Sequence, residues 1–180
     1  MVMIKNPIAG FLILSCIIVL SHGCRPKEKA ADVPDIQGIY KDIQYLDSLT
    51  RSKQLDSIGR VNDKLSAVIA AYAYRAASPD DAAILDSLSG IHRAASDLLQ
   101  FCSDAQTDLE LMGQDTRALE NQYRSGKIQA DTYISGLVQQ EQYLIDMNNE
   151  LSLKSKKALK YLENQSILIT RLSPLPDFAE

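Results

Sequence analysis

Beyond Pro34, apolar residues recur at steps of four and three along nearly the whole chain. That spacing places them on one face of an α-helix. The clearest run is Ile84, Leu88, Ile91, Ala95, Leu98, Cys102, Ala105, Leu109, Met112, Thr116, Leu119 and Tyr123, in which Thr116 is the one polar member. About six unbroken heptads make a coiled-coil type of seam. Ser78 is placed to cap this helix, Pro79 suits its first position, and Asp80 and Asp81 favour the positive end of the helix dipole. The stretch "YRSGKIQAD" stops it, with Gly126 able to take the left-handed conformation that closes a helix.

Two further helices flank it. One runs over about 35–77, with a seam of Ile36, Ile39, Ile43 and Leu46, then Ile58, Val61, Leu65, Val68 and Tyr72. The other runs over about 129–172, with Ile134, Leu137, Leu144, Leu151, Ala158, Leu162, Ile169 and Leu172. "SPLP" ends it, because the residue before a proline is pushed out of the helical region. The connections are a few residues long, so neighbours must run antiparallel. The pattern predicts an all-α fold: an elongated antiparallel three-helix coiled-coil-like bundle, helices about 35–77, 79–124 and 129–172, each about 65 Å long. The alternative is four helices, with the first broken near residues 50–54.

The reason for that alternative is a slip in the seam. Continuing from Ile43 and Leu46 lands on Thr50 and Lys53, whereas running backward from Ile58 and Val61 lands on Arg51 and Gln54. The last helix likewise places Glu141, Asn148 and Ser155 between Ile134 and Leu162. Antiparallel counting sets Arg51 beside Ala105, and Ala105 beside Asn148. The small side chains of Cys102 and Ala105 leave room there. The expectation is a mid-rod polar layer including Arg51 and Asn148, with Glu141 within about two turns. Such a layer fixes register, as a seam Asn does in coiled coils, or forms a partner-binding notch.

The amino-terminal pattern is different. Lys5 precedes an apolar run from Ile8 to Leu20, too short for a transmembrane helix of ~20 residues and consistent with a secretory leader over 1–23. It ends in "LSHGC". This resembles the lipobox of bacterial lipoproteins, with Gly23 as the small residue before Cys24 and Ser21 where the pattern has Leu. The resemblance implies that Cys24 is the acylated first residue of the mature chain. Cys16, in "ILSC", is the rival site. Residues 24–34, "CRPKEKAADVP", then read as a polar lipidated tether reaching at most ~35 Å. Arg25 does not match the Asp of an inner-membrane retention signal, and "RPKEK" does not match an acidic surface-export signal. The resemblance therefore points to the periplasmic face of an outer membrane. Residues 173–180 form a tail carrying Leu175 and Phe178.

Composition adds little chemistry. The formal net charge is −4, or −5 once Lys5 leaves with the leader, which argues against a nucleic-acid binder. Without the leader, His92 is the only histidine and Cys102 the only unmodified thiol. There is no CxxC, HExxH or glycine-rich phosphate loop. No metal site, no cofactor and no enzyme activity are expected. His92 reads as an exposed or flanking histidine, and Cys102 as a small core residue. Tyr72 and Tyr123 fall on seams and read as core; Tyr74, Tyr133 and Tyr143 read as partly exposed. "KSKKALK" at 154–160 reads as a solvated basic face. The functional expectation is a membrane-anchored envelope lipoprotein acting through protein partners as adaptor, spacer or assembly factor, with self-association left open. A helical carrier of a small ligand or lipid is the alternative.

Overall fold

A computed structural model describes residues 35–73 and 78–172; the leader, Cys16, Cys24, the tether, Tyr74 and the carboxy-terminal tail lie outside the described residues. Every described element is helical: α1 Ile36–Thr50, α2 Lys53–Ala73, α3 Pro79–Arg124, α4 Ala130–Leu162 and α5 Gln165–Arg171. They form three antiparallel rods, α1–α2, α3 and α4–α5. The 46 residues of α3 make it about 69 Å long.

The ends of α3 are set by side-chain and backbone chemistry. The Ser78 hydroxyl oxygen accepts from the Asp81 backbone N–H at 3.1 Å, and Asp81 Oδ2 in turn accepts from that hydroxyl at 2.9 Å. At the other end Gly126 has φ +69°, with Lys127 N donating to Gln122 O at 2.9 Å and Gly126 N to Tyr123 O at 3.0 Å. This pair of bonds is a Schellman closure, which satisfies carbonyls that a helix end leaves orphaned.

The first rod is not continuous. α1 stops at Thr50, with Arg51 as its C-cap at φ −111° and ψ 16°, and α2 restarts at Lys53. The cause is the seam slip. An unbroken helix would carry Ile58 about 100° away from the line of Ile39 and Leu46. The break resets the phase, so that Ile39, Leu46 and Ile58 are all buried in one cluster. Local competition helps, since the Thr50 hydroxyl donates to Asp47 O at 3.0 Å and Ser48 to Tyr45 O at 2.7 Å. The third rod is also interrupted. α4 ends at Leu162 rather than running to 172, and a turn through Glu163 and Asn164 leads into the separate α5.

Two hydrophobic clusters line α3. The larger gathers Ile39 and Leu46 of α1, Ile58 of α2, Ala95, Leu98, Cys102, Ala105 and Leu109 of α3, and Leu137, Leu144, Met147, Leu151 and Ala158 of α4. The smaller gathers Leu65 of α2, Ile84, Leu88 and Ile91 of α3, and Leu172 after α5, with Leu168 and Ile169 packed against it. Each fully buried Leu or Ile contributes about 1.5–3 kcal/mol. α3 and α4 approach closely where Gly136 faces Leu119: a Cβ at Gly136 would stand 2.7 Å from Leu119 Cδ2.

Candidate functional site

Among the described residues, polar contacts cross the rods at several levels. At the break in the first rod, Gln106 Nε2 donates to the Thr50 carbonyl at 2.7 Å, satisfying an orphan acceptor at the end of α1. The seam position here is held by Thr50, which is 3 % exposed. Arg51 sits in the break itself with its side chain in solvent, and its Nε pairs with Asp47 Oδ1 at 2.7 Å one turn back. Glu141 is exposed on α4, and Asn148 is half-buried there. The level is thus marked by a helix end and its side-chain cap.

The second level joins α2 to α3. Asn62 is 7 % exposed. Its Nδ2 donates to Ser96 Oγ at 2.9 Å, and its Oδ1 lies 2.7 Å from His92 Nδ1. An amide oxygen only accepts, so with the amide turned this way Nδ1 carries the imidazole proton. The imidazole bonds to the amide rather than to the serine hydroxyl, so His92 and Ser96 do not form a base–nucleophile pair. Sequence reading placed His92 beside the seam without a partner. The signal it passed over was Asn62 itself, which lies four residues after Ile58 and three before Leu65 and is buried between them.

The third level joins α3 to α4. Thr116 is fully buried, with its hydroxyl 2.7 Å from Met112 O and 3.0 Å from Gln140 Oε1. A further α3–α4 bond is more exposed: the Tyr143 hydroxyl donates to Asp108 Oδ2 at 2.7 Å. That bond, with burial behind it, pushes the Tyr143 phenol up to about 12.

Beside the first level a groove of about 560 Å³ opens between the start of α2 and the middle of α3. Thr50, Arg60, Asp63, Cys102, Ser103 and Gln106 are among its walls. Cys102 is 3 % exposed, and burial pushes its thiol up to about 11. A thiol held protonated is a poor nucleophile and a poor metal ligand. Among the described residues, no group of three or more His, Cys, Asp or Glu side chains is placed to hold a metal ion. No described helix is long and apolar enough to cross a membrane.

Aromatic residues gather where α3 turns into α4. Tyr123 and Tyr133 stack with centroids 4.4 Å apart and planes 7° from parallel. Tyr123 is 42 % exposed, so it is not the core residue its seam position implied; one ring face packs on Tyr133 and the rest meets solvent. Tyr72 is half-buried against the smaller cluster. On the basic stretch of α4, Lys154 sits 5.5 Å above the Phe101 ring and 3.4 Å from Glu150, whereas Lys156, Lys157 and Lys160 face solvent.

The chain matches no protein-family model, no curated protein and no solved structure.

Proposed function

We propose that this protein is a lipid-anchored, non-catalytic helical spacer or adaptor of the bacterial cell envelope, held to its membrane through Cys24 and acting through contacts with envelope proteins. The observation that carries the reading is α3, a single 46-residue helix against which both hydrophobic clusters are built. A chain folded this way invests its apolar residues in length. Leu111 of α3 and Ile145 and Leu153 of α4 remain exposed to solvent, where a partner could cover them. The lipobox-like "LSHGC" supports the anchor. A multiply acylated Cys24 supplies the second signal that one acyl chain lacks for stable attachment.

Two measurements test the two halves of this reading. In cells fed a labelled fatty acid, Cys24→Ala should lose the label and leave the membrane fraction, while Cys16→Ala should keep both. Normal labelling of the Cys24 variant refutes the anchor. A photo-crosslinking residue at Leu111 or Leu153 should then give discrete adducts with envelope proteins, abolished by a charge at the neighbouring exposed position. Absence of adducts from every outward-facing position refutes the adaptor.

A further inference from the structure

The chain comes into the bundle at a definite end. Asp35 caps α1, accepting from Gln37 N at 3.2 Å. α1 runs antiparallel to α3, and Ile36 of α1, Leu119 of α3 and Tyr133 of α4 pack against the same cluster; burial and then Glu120 raise the Tyr40 phenol. The start of the described chain is therefore at the end where α3 turns into α4, opposite the end that holds Ser78 and Leu172. The ten residues that separate Cys24 from Asp35 in the sequence can span at most ~35 Å. The length of α3, about 69 Å, is roughly twice that reach.

The chemistry of this end is amphipathic. Tyr123 stacks on Tyr133, Tyr133 feels the charge of Tyr40, and Tyr123 is open to solvent while Tyr40 and Tyr133 are half-buried. Arg117, Arg124 and Lys127 are all exposed. Glu120 takes Arg124 in an ion pair, and Arg117 Nε donates to the Gly113 carbonyl at 3.0 Å. The same turns of α1, α3 and α4 also carry Asp35, Lys41, Asp42, Asp115 and Asp131, so cations and acids roughly balance. That balance suits a zwitterionic or mildly anionic surface rather than a strongly charged one. A phenol has an apolar ring and a polar tip, and tyrosines collect at the headgroup level of membranes for that reason. The free N–H groups of Arg117 and the Lys127 ammonium fit lipid phosphates.

Resting on the reading of Cys24 as the lipid anchor, we propose that Tyr40, Tyr123 and Tyr133, with Arg117 and Lys127, form a docking face for the phospholipid headgroups of the membrane that holds the anchor. The bundle then stands on this end and carries the Ser78–Leu172 end away from the bilayer.

The chain contains no tryptophan, so a single introduced one reports its own surroundings. Full-length acylated protein is reconstituted into phosphatidylethanolamine–phosphatidylglycerol vesicles carrying brominated acyl chains, as a Tyr123→Trp or a Tyr161→Trp variant. Tyr161 is comparably exposed, at 41 %, but lies near the far end of α4. Emission from Tyr123→Trp should shift to shorter wavelength and be quenched by the brominated lipid, while that from Tyr161→Trp should match its value with unbrominated lipid. Adding Arg117→Glu and Lys127→Glu to Tyr123→Trp should remove most of the quenching and leave flotation with the vesicles intact. Vesicles that float with the protein while Tyr123→Trp is unquenched, or with both variants quenched equally, overturn the docking face and leave the anchor standing. Protein that fails to float overturns the anchor, and the docking face with it. Circular dichroism equal to that of the parent confirms that each variant is folded.

Discussion

The close approach of α3 and α4 gives the sharpest test of how the rods pack. Gly136 and Gly113 both sit inside long helices, where replacing glycine by alanine removes backbone freedom from the unfolded chain. On propensity alone each substitution should stabilise by about 1 kcal/mol. Gly113 has open space around it, with nothing within 4 Å of a built Cβ, so Gly113→Ala should realise that gain. At Gly136 the new methyl would meet Leu119 Cδ2 at 2.7 Å and Cδ1 at 3.1 Å. Overpacking of this kind costs about 1–3 kcal/mol. Leu119 is half-buried, and how far its isobutyl end can turn sets where in that range the cost falls. The net expectation for Gly136→Ala is a loss between about zero and 2 kcal/mol, opposite in sign or nearly so to Gly113→Ala. Urea unfolding followed by circular dichroism separates the two. With a slope of about 2 kcal/mol per molar, the midpoint should rise by about 0.5 M for Gly113→Ala and stay or fall by up to about 1 M for Gly136→Ala. Adding Leu119→Ala should recover the alanine gain at 136, giving a favourable interaction energy in the double-mutant cycle. If Gly136→Ala stabilises as much as Gly113→Ala, the α3–α4 distance at this level is larger than described and the reasoning fails.

Asn62→Ala should cost about 1–2 kcal/mol, because it strips His92 and Ser96 of their partner inside the α2–α3 interface; thermal melting should show a drop of roughly 3–6 °C, and an unchanged midpoint would mean that the cluster carries no net stability. Cys102 and Tyr143 both hold their protons more tightly when folded, with the thiol pushed up to about 11 and the phenol to about 12. The native state binds more protons than the unfolded one over that range, so stability should be intact below about pH 9 and fall as pH rises from about 9 to 12. At pH 8 the Cys102 thiol should react with a disulfide reagent about 100-fold more slowly in the folded protein than in urea, and equal rates would show that the side chain is not enclosed.

Much of the architecture was legible because helical periodicity is local. The seam from Ile84 to Leu119 and the cap residues Ser78, Pro79 and Gly126 are all read within a few residues of where they act. The slip between Leu46 and Ile58 was legible as an anomaly, and the structure resolves it with a break. What was not legible depends on which residue faces which across rods. Arg51 and Thr50 are neighbours in the chain, and only the phase of the break decides that Thr50 is buried while Arg51 reaches solvent. Asn62 and His92 are 30 residues apart, and their bond exists only because α2 and α3 align at that level. Tyr123 lies on the seam of α3, yet its exposure depends on where the neighbouring rods begin and end. The turn at Glu163 and Asn164 carries neither glycine nor proline to announce it.

The two clusters differ in size and share α3, with α2 also passing from one to the other, and this has a mechanical consequence. α3 belongs to both, whereas α5 holds only to the smaller one and α1 only to the larger. Opening free energies within a protein follow the apolar contacts that each unit would lose. The Leu172 end, where α5 and the later turns of α2 lie on α3, is the weaker of two cooperative units threaded on a common splint. Amide protons there should exchange before those of α1 and the first half of α4. A pull applied at that end is met by the smaller cluster first, and the larger one stays closed until α3 itself gives way.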